Sequence, residues 1–106
     1  MTLNFNIQTW EEFASCLPKN ANDTDRLIAA VCYRYEFEKV DETEMSVISS
    51  GYFRRARWPH PVNLYATANY CASKGWLSEA GQSNNRKVWR ITKRGFESFK
   101  NRFKQI

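Results

Sequence analysis

Lysine and arginine are distributed unevenly along this chain. Residues 51–106 carry twelve of them against only Glu79 and Glu97, a net of +10, whereas residues 1–50 carry four against nine carboxylates, a net of −5. The overall charge of +5 conceals that split. A concentrated positive field attracts polyanions, so nucleic acid is the first partner to consider. Arg54, Arg55, Arg57 and His60 lie just before a helical segment, and Arg86 and Lys87 lie in a hairpin after it. Such groups neutralise phosphates and set register without reading sequence. Between them, Asn63, Ala66, Thr67, Tyr70, Ser73 and Lys74 share one helix face of small or hydrogen-bonding residues with no carboxylate. In a major groove, Asn can pair with adenine, and Thr or Ala methyls can meet the thymine methyl. An ordinary solvated helix face would mix Glu with Lys.

Other chemistries find little support. The chain has one histidine, no Gly-rich phosphate loop, no HExxH and no GxSxG, and no paired carboxylates in its basic half, so neither catalytic residues nor a cofactor are expected. Cys16, Cys32 and Cys71 are odd in number, widely spaced and set in apolar helical patterns. They fit neither a disulfide framework nor a CxxC metal site and read as core fillers in a reducing cytoplasm. No apolar run approaches the roughly 18–20 residues that span a bilayer. MTLNFNIQTWEEF lacks a basic n-region and an apolar h-region. A soluble cytoplasmic protein is expected.

The elements that must position these residues can be read from periodicity. A chain of 106 residues with 42% hydrophobic and 15% aromatic content makes one domain, and four Trp, five Tyr and seven Phe predict a core built on rings. Residues 9–17 open with Thr9 and Glu12 in capping-box spacing and place Trp10, Phe13, Ala14 and Leu17 on one face before Pro18 stops them. Residues 1–22 thus read as an N-terminal helix and linker ahead of a unit spanning 23–106. Asn22 or Asp23 caps a second helix, about 24–38, and a third runs from near Thr43 to about Ala56. RWPHP breaks the chain. A fourth helix, about 62–74, turns Leu64, Ala68, Cys71 and Ala72 inward and ends where Gly75 suits a C′ position. WLSEA and RKVWRIT, joined by GQSNN, predict a β-hairpin. Thr92 then caps a last helix with a Phe96, Phe99 and Phe103 stripe.

The order of these elements, and the stretch NLYATANYCASKGWLSEAGQSNNRKVWRITKRGFESF, resemble a winged helix-turn-helix domain such as those of MarR and PadR repressors. Lys74-Gly75-Trp76-Leu77 and Ile91-Thr92-Lys93-Arg94-Gly95 fill the places where those families end the recognition helix and leave the wing. The resemblance covers roughly residues 24–104. It departs at ARWPHPVN, which replaces a short turn of small residues. It implies a mainly α fold with a small β-hairpin and one additional N-terminal helix. It also implies a double-stranded DNA-binding transcriptional regulator, with helix 62–74 in the major groove and wing 76–92 along the backbone. Such domains act as dimers, and two stripes could serve as the contact: Trp10/Phe13/Leu17 or Phe96/Phe99/Phe103. The alternative is a winged-helix protein-interaction module within a larger assembly, its acidic 36–44 stretch docking a basic partner. The two readings differ on whether acidic groups interrupt the surface made by Arg54, Arg55, Arg57, Lys74, Arg86, Lys87 and the fourth helix.

Overall fold

The computed structural model describes residues 9–102. Helix α1 (Trp10–Ser15) begins as its capping box predicts: the Thr9 hydroxyl accepts the Glu12 N–H at 3.1 Å. Trp10 and Phe13 are fully buried. The helix ends before Pro18 and leaves Cys16 exposed at its C-cap, so the reading of Cys16 as a core filler is corrected. At 3.6 residues per turn the face set by Trp10, Phe13, Ala14 and Leu17 leaves Cys16 on the helix flank. Cys32 and Cys71 are buried. Helix α2 (Asp23–Glu36) is capped by Asn22, which exchanges bonds with Asp25 at 2.9 and 3.3 Å. Every residue from Leu27 to Tyr33 is buried. A helix apolar around its circumference must be enclosed, and α2 is the element the others pack around.

Thr43 does not begin the third helix. It pairs instead with Trp89, its N–H donating to the Trp89 carbonyl at 2.9 Å and its carbonyl accepting the Trp89 N–H at 2.8 Å. The following rod is α3 (Met45–Val47), a π-helical turn (Ile48–Tyr52) and α4 (Phe53–Arg55). The wide turn loosens the backbone ladder, and the hydroxyls of Ser50 and Ser49 donate to the Ser46 carbonyl at 2.6 and 3.3 Å. Consecutive Tyr52 and Phe53 are both buried. The rod ends in a Schellman motif: Trp58 N–H bonds Phe53 O, Arg57 N–H bonds Arg54 O, and Arg57 takes φ +59°.

Helix α5 (Leu64–Ser73) is shorter than 62–74 because Asn63 is its N-cap and Lys74 its C-cap. Leu64, Ala68 and Cys71 anchor it in the core. A second Schellman motif closes it, with Gly75 at φ +79° and Trp76 N–H bonding Cys71 O at 2.9 Å. Strands β1 (Leu77–Ser83) and β2 (Arg86–Ile91) pair antiparallel from Leu77↔Ile91 to Ser83↔Arg86, with an irregularity between Glu79 and Gly81. Asn84 and Asn85 both have positive φ, as the tight twisted turn at the tip requires. Helix α6 (Lys93–Arg102) starts at Thr92, whose hydroxyl accepts the Gly95 N–H at 2.9 Å and donates to the Gly75 carbonyl at 2.6 Å. One threonine therefore ties the start of α6 to the end of α5.

The result is mainly helical with one two-stranded hairpin. Trp10, Phe13, Leu17, Phe96 and Phe99 all bury in the same core, where Phe13 stacks on Phe99 at 5.8 Å. Both stripes considered as dimer contacts are thus used within the chain; Phe103 lies outside the described residues. No helix among the described residues is long and apolar enough to cross a membrane.

Candidate nucleic-acid interface

Helix α5 turns outward a face free of carboxylates. Tyr65 and Tyr70 are about half exposed (46% and 49%), and Ala66, Asn69, Ser73 and Lys74 are exposed beside them. Several of these groups already have partners. The Asn63 side-chain oxygen accepts the Ala66 N–H at 3.1 Å, so Asn63, expected to read a base, also caps the helix. Thr67 and Ser73 donate their hydroxyl protons to the Asn63 and Tyr70 carbonyls at 3.0 and 2.6 Å. Thr67 is only partly exposed, on the flank of the face. The Lys74 ammonium lies 5.5 Å from the Tyr70 ring centroid, and Tyr70 meets Trp76 edge-on at 6.2 Å.

The flanking cations separate into groups. Arg54 and His60 line a cleft of about 330 Å³ with Ser49, Ser50, Phe53 and Trp58. His60 and Ser49 also line the adjoining cleft, where Met45, Ser46, Val62 and Tyr65 meet the start of α5. The Arg86 guanidinium donates to the Ser46 hydroxyl at 3.3 Å. Arg54, His60, Ser46 and Arg86 therefore follow the rod alongside the N-terminus of α5. Arg57 is exposed at the Schellman turn and has no ion pair to a described residue.

Arg55 does not belong to this group. Its guanidinium reaches across to α1 and bonds both carboxylate oxygens of Glu11, at 3.0 and 3.1 Å. That bond holds the Glu11 carboxyl below its ordinary range and raises the guanidinium further. Arg55, expected among the phosphate-contacting residues, is thus engaged by a carboxylate within the chain. Lys87 pairs with Glu79 on the neighbouring strand at 3.7 Å. Arg90 is held by Asp41 and Glu42 at 3.2 and 2.9 Å, and Arg102 meets buried Asp25 at 2.5 Å. Much of the acidic half thus folds back onto the basic half.

A polar cluster invisible to periodicity fixes the rod against the hairpin. Arg34 donates to the Thr43 hydroxyl at 3.0 Å and to the Tyr52 hydroxyl at 2.9 Å, and Tyr52 donates in turn to Glu38. Burial, then the bond to Glu38, pushes the Tyr52 hydroxyl above its usual range. Because Thr43 also pairs with Trp89, the cluster sets the spacing between the rod and β2.

Sequence reasoning also missed Asn69. The helical phase that directs Leu64, Ala68 and Cys71 inward places Ala66, Asn69 and Ser73 farthest outward at 3.6 residues per turn, so the signal was present in the spacing. Among the described residues no group of three or more His, Cys, Asp and Glu side chains could hold a metal ion. No protein-family model, curated protein or solved structure matches this chain.

Proposed function

We propose that this chain is a winged helix-turn-helix protein that binds double-stranded DNA and acts as a small transcriptional regulator. Helix α5 enters the major groove and the hairpin follows the backbone. The observation that carries the reading is the outward face of α5. Three apolar anchors hold the helix, and Tyr65, Ala66, Asn69, Tyr70, Ser73 and Lys74 face solvent without a carboxylate among them. A helix of this diameter fits the major groove of B-form DNA. The element order supports the same reading: α2, the isolated Thr43–Trp89 pair as a rudimentary strand, the rod, α5, the hairpin and α6. Arg54, Arg57, His60 and Arg86 then supply the backbone contacts.

The test is fluorescence anisotropy of a labelled duplex pool at roughly 50 and 200 mM salt. Several phosphate contacts predict affinity falling by about 10²–10⁴ across that range. Absence of binding at the lower salt would remove the DNA reading. The protein-interaction module would then lead, favoured by Glu11 on Arg55, Glu79 on Lys87 and a Val62 that is 96% exposed.

A further inference from the structure

The geometry points to Asn69 as the residue of α5 that selects the base sequence, by pairing with one adenine; this inference rests on the DNA-binding reading above. Seven polar side chains lie on or beside the helix face; Tyr65 and Tyr70 each offer a single hydroxyl rather than a paired donor and acceptor, and four of the other five already hold a partner. Asn63 caps the helix through its side-chain oxygen. Thr67 and Ser73 have given their hydroxyl protons to helix carbonyls and retain only acceptor capacity. Lys74 is drawn over the Tyr70 ring. Asn69 is exposed, and its amide makes no hydrogen bond to a described residue, so both its donor and its acceptor are available.

Adenine presents an N7 acceptor and an N6 donor on the major-groove edge, which one side-chain amide can satisfy together. Reaching that edge requires the helix to approach closely, and the outermost neighbours of Asn69 permit this. Ala66 lies about 4.5 Å before it along the axis and Ser73 about 6 Å after it, both short. The longer Tyr65 and Tyr70 stand to either side, where they meet sugar and backbone rather than the base edge. A guanine at the same position offers two acceptors and would leave the amide oxygen facing an oxygen. The preferred site therefore contains an A·T pair opposite the middle of α5.

The experiment uses the full chain and the duplex enriched from a randomised pool. Each adenine is replaced in turn by 7-deazaadenine, which removes N7 and leaves the Watson–Crick edge intact. Wild-type protein should lose roughly 5- to 150-fold in affinity at one adenine. Asn69→Ala should be weaker by a similar factor on the parent duplex and indifferent to 7-deazaadenine at that position. Asn101→Ala, an exposed amide change on α6, should behave as wild type throughout. If Asn69→Ala keeps the full adenine sensitivity of wild type, the inference fails while DNA binding stands. If wild type enriches no duplex at 50 mM salt, the DNA reading fails and takes this inference with it. Far-UV circular dichroism of Asn69→Ala checks that α5 is intact; loss of helix would shift the test to Asn69→Ser.

Discussion

Arg57 occupies a backbone conformation that costs an L-residue about 1 kcal/mol relative to glycine. Its φ of +59° closes the Schellman motif at the end of the rod, and its side chain makes no ion pair within the described residues. A glycine would serve the turn at lower backbone cost, and on the DNA-binding reading proposed above the exposed guanidinium contacts a phosphate. Arg57→Gly should raise stability by about 0.5–1 kcal/mol, measured by chemical denaturation. It should also lower the salt slope of DNA binding by about one phosphate contact. A variant both less stable and unchanged in binding would contradict that account. Asn63→Ala should show the reverse pattern. Losing a cap costs about 0.5–2 kcal/mol, while base preference stays as in wild type, because the Asn63 oxygen already serves the Ala66 N–H. Arg55→Ala should leave the salt slope unmoved, since its guanidinium faces Glu11. These residues mark how far side-chain chemistry was legible. Residue type indicated what Asn63 and Arg55 could bind, but a cap three residues away and a carboxylate 44 positions away had first claim on them.

Each helix boundary that the chain announces through a local signal is found close to where the signal lies. Thr9, Asn22 and Thr92 cap, Gly75 terminates, and Asn84–Asn85 turns, because each of these acts on backbone groups within three or four residues. The π-helical turn and the Thr43–Trp89 pair had no such signal. The first depends on how Tyr52 and Phe53 share the core, and the second on a residue 46 positions away. The two glycines within helices show how elements then fix one another. A Cβ on Gly95 would stand 2.1 Å from the Trp76 carbonyl oxygen and 2.8 Å from its carbon. Backbone cannot yield there as a flexible side chain can, so the start of α6 sits directly on the α5–β1 junction. Gly95→Ala should destabilise by about 1–3 kcal/mol despite alanine's better helix propensity. Gly51→Ala meets nothing within 4 Å and lies in the helical rod. That change should stabilise by roughly 0.5–1 kcal/mol. Thermal melts of the two variants should therefore move in opposite directions.

The charge split along the sequence is not a charge split in space. Glu11, Asp25, Asp41 and Glu42 from the acidic half meet Arg55, Arg102 and Arg90 from the basic half. What the pairing leaves exposed and cationic near α5 among the described residues is a smaller set that includes Arg54, Arg57, Lys74, Arg86 and Arg94, whose side chain lies beside Gly75. Composition carries the total charge but says nothing of which groups neutralise each other across the fold, which is why the cationic surface beside α5 was only partly legible. The same compaction sets how the whole molecule responds to pH. Burial pushes the Cys71 thiol up to about 11, with Asp25 adding to the effect. Burial also raises Cys32, Tyr33 and Tyr52. A raised value means the folded chain keeps its proton where the unfolded chain has lost it. Stability from these groups is therefore complete below their ordinary range and declines as pH rises through the folded values. Glu11 has the opposite sign: its depressed carboxyl contributes above its ordinary value and ceases to as pH falls below it. The unfolding midpoint should accordingly be highest near neutral pH and fall from about pH 9 toward 11. Cys71→Ala removes one of the alkaline contributors, so its midpoint, lower at pH 7 from lost packing, should decline less steeply over that window. Parallel declines in wild type and variant would mean that Cys71 is not among the groups whose ionisation opens the fold.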